Sequence, residues 1–128
     1  MATVSCNSAK EVTTKSLLEG TWVLVLFPSG EKSFAEIFGQ RTPELQFDLN
    51  NKVTGTSGCN HISGSFTKSE TMLQFDGNMI MTKMACPGYD ESIFMEALQR
   101  VNRYKFRDDQ LDLMQEDTPI MTLAKKKT

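Results

Sequence analysis

Thr21-Trp22-Val23-Leu24-Val25-Leu26-Phe27, closed by Pro28-Ser29-Gly30, is the stretch that sets the fold class. Aromatic, β-branched and aliphatic residues follow one another without a helical period, as in a strand near the middle of a sheet. The closing cluster is a turn, because Pro fixes φ and Gly permits positive φ. Outward from this strand, Glu44-Leu45-Gln46-Phe47-Asp48-Leu49 alternates, which sets Leu45, Phe47 and Leu49 on one face. Asn50-Asn51 then turns the chain into Lys52-Val53-Thr54-Gly55, completing a hairpin.

Further short strands are expected over residues 62–66, 72–75 and 79–84, separated by Lys68-Ser69-Glu70 and Asp76-Gly77-Asn78. Residues 104–106 and 111–114 flank Arg107-Asp108-Asp109-Gln110 as a second hairpin, and Pro119 sets off a last strand over 120–123. One segment departs from this pattern. After Pro87-Gly88-Tyr89, Asp90 can cap a helix in which Ile93, Phe94, Ala97, Leu98 and Val101 form one apolar stripe. The expected architecture is mainly β: an antiparallel barrel or sandwich with one packed α-helix around residues 90–103.

With 128 residues, 39% of them hydrophobic, the chain can build one modest core. Its net charge of -2 provides no global positive field, so no nucleic-acid partner is expected. No apolar run approaches the roughly 18 residues that a spanning helix needs. Residues 1–14 read as a flexible polar lead-in, and Lys125-Lys126-Lys127 as a short solvated basic end.

Little here points to catalysis. His61 stands two residues after Cys59, where a strand would put both side chains on one face as a nucleophile and base, but nothing orients the imidazole. Cys59, His61 and Cys86 lack the close ligand pairs of a zinc site, so no metal or other cofactor is expected. Asp48-Leu49-Asn50-Asn51 lacks the ligand count and Gly spacing of a calcium loop, and Gly55, Gly58 and Gly64 fit no phosphate loop. Asp108-Asp109 and Glu116-Asp117 fall at turns, where hydrated carboxylates bond the local backbone. Met79, Met81, Met84, Met95, Met114 and Met121 read as gap-filling core residues, and Trp22 as a core anchor.

Cys59 and Cys86 each sit where a strand meets a turn. They are either bridged or a pair of small buried thiols, and local sequence leaves both open. Cys6 is either an incidental thiol or the lipid-modified first residue of a lipoprotein whose signal peptide has been removed; Thr3-Val4-Ser5 is a partial lipobox.

Several motifs resemble the META/HslJ domain family of bacterial envelope and stress-associated proteins. They are Leu18-Glu19-Gly20-Thr21-Trp22, Pro43-Glu44-Leu45-Gln46-Phe47, Val53-Thr54-Gly55-Thr56-Ser57-Gly58-Cys59-Asn60 with Gly64 beyond it, and Thr82-Lys83-Met84-Ala85-Cys86-Pro87. Glu91 with Phe94 and Leu98, then Tyr104, Leu111, Leu113, Met121 and Leu123 continue the likeness.

The resemblance implies a small lipocalin-like antiparallel barrel over residues 15–125, followed by a basic tail at 126–128, with one helix across the barrel. It also implies export, often as a lipoprotein, which favours acylation at Cys6 and a bridge between Cys59 and Cys86 in an oxidising compartment. The family brings no catalytic mechanism with it. The expectation is therefore a noncatalytic exported envelope or stress-associated binding module, on the periplasmic side of the cell envelope, with a lipid on Cys6 as its candidate membrane attachment. Gly58 and Pro87 shape its stapled turns, Asn60 bonds the local backbone, and Trp22, Phe47 and Leu98 fill the core. The alternatives are a protein-binding inhibitor or chaperone-like partner using a hairpin edge, and a small-ligand carrier with His61 or Tyr104 facing a barrel cavity.

Overall fold

A computed structural model describes residues 17–28, 33–39, 41–86 and 91–126. The 1–14 lead-in, Cys6, the Ser29-Gly30 part of the first turn, the 87–90 segment with Pro87 and Asp90, and Lys127 lie outside the described residues.

Nine strands form one antiparallel sheet: β1 (Gly20–Leu26), β2 (Glu44–Phe47), β3 (Lys52–Thr56), β4 (His61–Lys68), β5 (Leu73–Phe75), β6 (Ile80–Met81), β7 (Arg103–Arg107), β8 (Gln110–Gln115) and β9 (Thr118–Lys125). Their order is β5-β4-β3-β2-β1-β9-β8-β7, with β6 on the remaining half of β4. The apolar run at 21–27 thus supplies the strand between the two halves of the sheet. A bridge between Met72 and Arg103, with Leu73 N–H donating to Asn102 O at 3.2 Å and Tyr104 N–H to Thr71 O at 3.1 Å, draws the two ends together. The sheet is a nearly closed barrel, in which few strand edges remain unpaired.

Among the described residues two helices of a turn or more accompany it, where the sequence pattern gives one. The expected helix, α2, spans Glu91–Arg100 and buries Phe94, Ala97 and Leu98 against the core. The unexpected one, α1, spans Phe34–Phe38 and buries Ile37 and Phe38. A capping box starts α1: the Ser33 hydroxyl accepts from Glu36 N–H at 3.2 Å, and the Glu36 carboxylate accepts from Ser33 N–H at 3.0 Å. Such a short helix gains most of its stability from packing, here of Phe38 against Phe27 and Phe94 with ring centroids 5.2 and 6.2 Å apart. Phe47, Phe66 and Phe75 fill the next layer, and the Trp22 indole N–H donates to Leu18 O at 2.8 Å.

Several boundaries differ from the sequence pattern. Residues 79–84 keep strand pairing only at Ile80–Met81, and Met84 is exposed instead of filling the core. Leu49 leaves the face of Leu45 and Phe47 because β2 ends at Phe47; Asp48 then accepts from Asn50 and Lys52 N–H at 2.8 and 2.9 Å, and Asn51 takes a positive φ of 63°. Pro119 lies inside β9, opposite Met114 at a register shift, the kind of irregularity at which a strand tolerates proline.

Of the basic end, Lys125 and Lys126 make more contacts than a solvated tail would. Lys125 pairs with Trp22 in the sheet, its ammonium over the indole 4.9 Å from the centroid and bonded to Glu19 O. Lys126 donates its N–H to Thr21 O at 2.9 Å and its ammonium to Glu44 at 3.2 Å. An exposed ion pair of this kind contributes little, but the backbone bond carries sheet order past the end of β9.

Candidate functional site

The connection from β3 to β4 makes a tight corner at residues 57–60. Ser57 N–H donates to Asn60 O at 2.9 Å, and Gly58 N–H to the Thr56 hydroxyl at 2.9 Å. Gly58 has φ 100°, a conformation that a side chain would strain, so glycine is required to close the corner. Cys59, which follows it, is bridged to Cys86 with 6.0 Å between Cα atoms and a sequence separation of 27. The bridge joins the corner to the end of residues 82–86, an irregular strap between β6 and the start of α2.

Asn60 lies under this strap with no solvent exposure, and its amide is fully engaged. Its Oδ1 accepts from Met84 N–H at 2.6 Å and from the Thr82 hydroxyl at 2.9 Å. Its Nδ2 donates to both carboxylate oxygens of Glu91, at 2.8 and 3.0 Å, and to Met84 O at 3.2 Å. The Ser57 hydroxyl, also fully buried, donates to Glu91 at 2.7 Å and accepts from Asn60 N–H at 3.0 Å. One side chain therefore ties together the corner, the strap and the first turn of α2. Burying that many polar groups is favourable only because each finds a partner. Asn60 does more than the local bonding expected of it: its side chain holds backbone and carboxylate groups far away in sequence.

Of the expected site residues, the structure brings together Gly58, Cys59, Asn60, Met84, Ala85 and Cys86. Met84 contributes through its backbone, while its side chain and Ala85 face solvent. Gly64 lies on β4 beside Met79, and Gly20 and Trp22 belong to β1 and the core. Ser57, Thr82, Glu91 and Arg41 complete the corner; the first three stand in the motifs of the family resemblance, but their contacts with one another and with Asn60 across the strap, like that of Arg41, span too much chain for local sequence to give. Arg41 donates to Cys86 Sγ at 3.7 Å.

A bridged sulfur offers no thiolate, so Cys59 and His61 form no nucleophile and base pair. Among the described residues no group of three His, Cys, Asp or Glu side chains is placed to hold a metal ion. Tyr104 is buried, with its hydroxyl donating to Ser69 O at 3.0 Å; burial first, and then Glu70, raise its pKa.

His61 faces outward, into a groove of about 580 Å³ over β1 to β4. Strand register builds this surface as two polar ranks. Thr21 pairs with Gln46, Gln46 with Thr54, and Thr54 with Ser63. Beside them, Glu44 pairs with Thr56, and Thr56 with His61. Neighbouring strands lie about 4.8 Å apart, so the ranks present hydroxyl, amide, imidazole and carboxylate groups at a regular spacing.

Solved structures share this architecture. The NMR structure of a protein from Burkholderia xenovorans superposes with a TM-score of 0.69 and 22% identity, covering 91% of this chain and 88% of that one. The crystal structure of a DUF4847 family protein from Bacteroides vulgatus gives a TM-score of 0.64 and 16% identity, covering 88% of this chain and 96% of that one. At these identities the likeness shows the fold alone. No curated protein matches the sequence. The META domain, however, matches residues 15–128, which include every described strand and both helices. By that match, the chain belongs to the META domain family.

Proposed function

We propose that this chain is a noncatalytic binding module of the cell envelope, working outside the reducing cytosol and contacting its ligand through the outer face of β1 to β4. The observation that carries the proposal is the pair of polar cross-strand ranks lining the groove, with His61 at the end of one of them. Hydroxyl and amide side chains both donate and accept hydrogen bonds, which suits a polar ligand laid across the strands. The bridge supports the compartment, because disulfides are rare in reducing cytosol. A lipid on Cys6 would tether such a module to a membrane, in keeping with the stress-associated envelope role that the family resemblance suggests. The core offers little support for an interior carrier site: phenylalanine rings pack between sheet and helices, and Tyr104 is spent on Ser69.

A second reading, a protein-binding inhibitor or chaperone-like partner, has one observation in its favour. β6 is two residues long, pairs with β4, and leaves Ile80 70% exposed, a place where an extended segment of a partner could add as a strand.

Titration of isotope-labelled protein with the soluble peptide and oligosaccharide fractions of an envelope digest, followed by NMR, distinguishes the two. The groove proposal expects shift changes at Thr54, Thr56, His61 and Ser63 that weaken in Thr54→Val. Changes centred on Ile80 and Met81 would favour strand addition, and time-dependent new products would mark an enzyme instead.

A further inference from the structure

We infer that the Cys59–Cys86 bridge is a directional thiol-exchange site: a small thiolate attacks the sulfur of Cys86, beside Arg41, and Cys59 is the sulfur released.

Exchange requires a thiolate to reach one sulfur of the bridge and displace the other. The two sulfurs here differ in access. Cys59 belongs to the buried corner and is 7% exposed, enclosed by the strap and by Asn60. Cys86 is half-buried at the end of that strap, after Thr82, Lys83, Met84 and Ala85, all of which face solvent. An incoming thiol therefore meets Cys86 first.

Electrostatics act at the same sulfur. The Arg41 guanidinium lies 3.7 Å from Cys86 Sγ, and among the described residues no carboxylate pairs with it. Its charge draws a thiolate toward Cys86 and stabilises the negative charge shared among three sulfurs during displacement. Taken alone, Arg41 would equally favour Cys86 as a leaving thiolate, with attack at Cys59. Access decides against that course, because a nucleophile aimed at Cys59 would first have to displace the strap.

The released sulfur also finds partners in place. Cys59 Sγ lies 3.5 Å from Asn60 Nδ2, whose two protons are shared among Glu91, Met84 O and this sulfur, and 3.5 Å from Met84 O, which can accept from the thiol. Atoms and electrons balance within the step. The bond between the incoming sulfur and Cys86 forms as the Cys59–Cys86 bond breaks; the incoming sulfur is oxidised and the Cys59 sulfur reduced. The bonds from Asn60 to Met84 and Thr82 do not involve sulfur, so the strap stays docked and Cys59 remains positioned to expel the adduct and restore the bridge. This chemistry is independent of any ligand in the outer groove.

Glutathione serves as the probe. The oxidised full chain is incubated with it, quenched in acid, capped with N-ethylmaleimide, digested without reductant and mapped by mass spectrometry, which also separates Cys6. The expected product carries glutathione on Cys86 and maleimide on Cys59. The reverse assignment, or an equal mixture of the two, overturns the inference. Arg41→Gln should slow adduct formation severalfold, with the difference shrinking at high salt, and Arg41→Lys should keep most of the rate. An unchanged rate in Arg41→Gln, in a variant whose thermal unfolding matches the parent, removes Arg41 from the site.

Discussion

The amide nitrogen of Asn60 lies within hydrogen-bond distance of both carboxylate oxygens of Glu91, at 2.8 and 3.0 Å, across 31 residues of chain. The same side chain accepts from Met84 N–H, so its loss would strand a buried backbone donor as well as a carboxylate. Asn60→Ala is expected to cost about 3 kcal/mol, since each orphaned buried group costs about 1 to 3 kcal/mol. Asn60→Asp should cost more at neutral pH, because it sets a second carboxylate against Glu91. Urea denaturation of the three proteins measures both; a loss under 1 kcal/mol in each variant would show that the network contributes little.

The bridge itself should stabilise by restricting the unfolded chain. For the 27-residue separation of Cys59 and Cys86, the chain-entropy relation gives about 3 to 4 kcal/mol. Cys59→Ser should therefore lower Tm relative to the parent in oxidising buffer and differ little from it in reducing buffer. Equal losses in both buffers would assign the effect to packing at the corner.

Local periodicity made most of the barrel legible. The alternation of Leu45 and Phe47 and the stripe of Phe94, Ala97 and Leu98 each need only neighbouring residues to be read, and all five are buried as that pattern requires. The helix at Phe34–Phe38 escaped that reading: Ser33-Phe34-Ala35-Glu36 carries a capping-box spacing, but five helical residues show too little of a period to stand out. Lys125 could not be read this way. Its place over Trp22 depends on the register between β1 and β9, and a lysine near the end of a chain ordinarily stays in solvent. The candidate site was legible in part. Its cysteines, Gly58, Asn60, Ser57, Thr82 and Glu91 all stand in recognisable motifs, but that Ser57, Thr82 and Glu91 meet at Asn60 follows only once the strap crosses the corner.

Two strand glycines should respond unequally to a methyl group. A Cβ on Gly55 would collide with the backbone carbonyl of Glu44, its neighbour in the β2–β3 ladder, which cannot move without breaking sheet pairing. A Cβ on Gly64 would meet the Met79 side chain at 2.9 Å, and a thioether chain can rotate away. Gly64→Ala is expected to cost about 1 to 3 kcal/mol as ordinary overpacking, and Gly55→Ala more than that. Thermal unfolding ranks them; a Gly64 variant less stable than the Gly55 variant would mean that Met79 is held rigidly.

On the other half of the sheet, Asp112 supplies an acid-sensitive contribution to stability. It is buried on β8, accepts from Arg107 Nε and Nη2 at 2.5 and 3.1 Å and from the Thr122 hydroxyl at 2.7 Å. The hydrogen bond from Arg107 is the main cause that holds its pKa below the ordinary value of 3.8; burial opposes this, and Thr122 assists. A carboxylate whose pKa is lower in the folded than in the unfolded state stabilises the fold above its unfolded pKa, and that stability disappears as pH falls through the folded pKa. Asp112 should thus contribute fully near neutrality and lose its contribution at and below about pH 4, the ordinary range for aspartate. Arg107 is half exposed, so solvent screens the pair, and Asp112→Asn should cost only about 1 to 2 kcal/mol at pH 7. Urea midpoints from pH 7 down to pH 3 should fall less steeply in Asp112→Asn than in the parent. Parallel slopes through that window would place the acid sensitivity of this fold on other carboxylates.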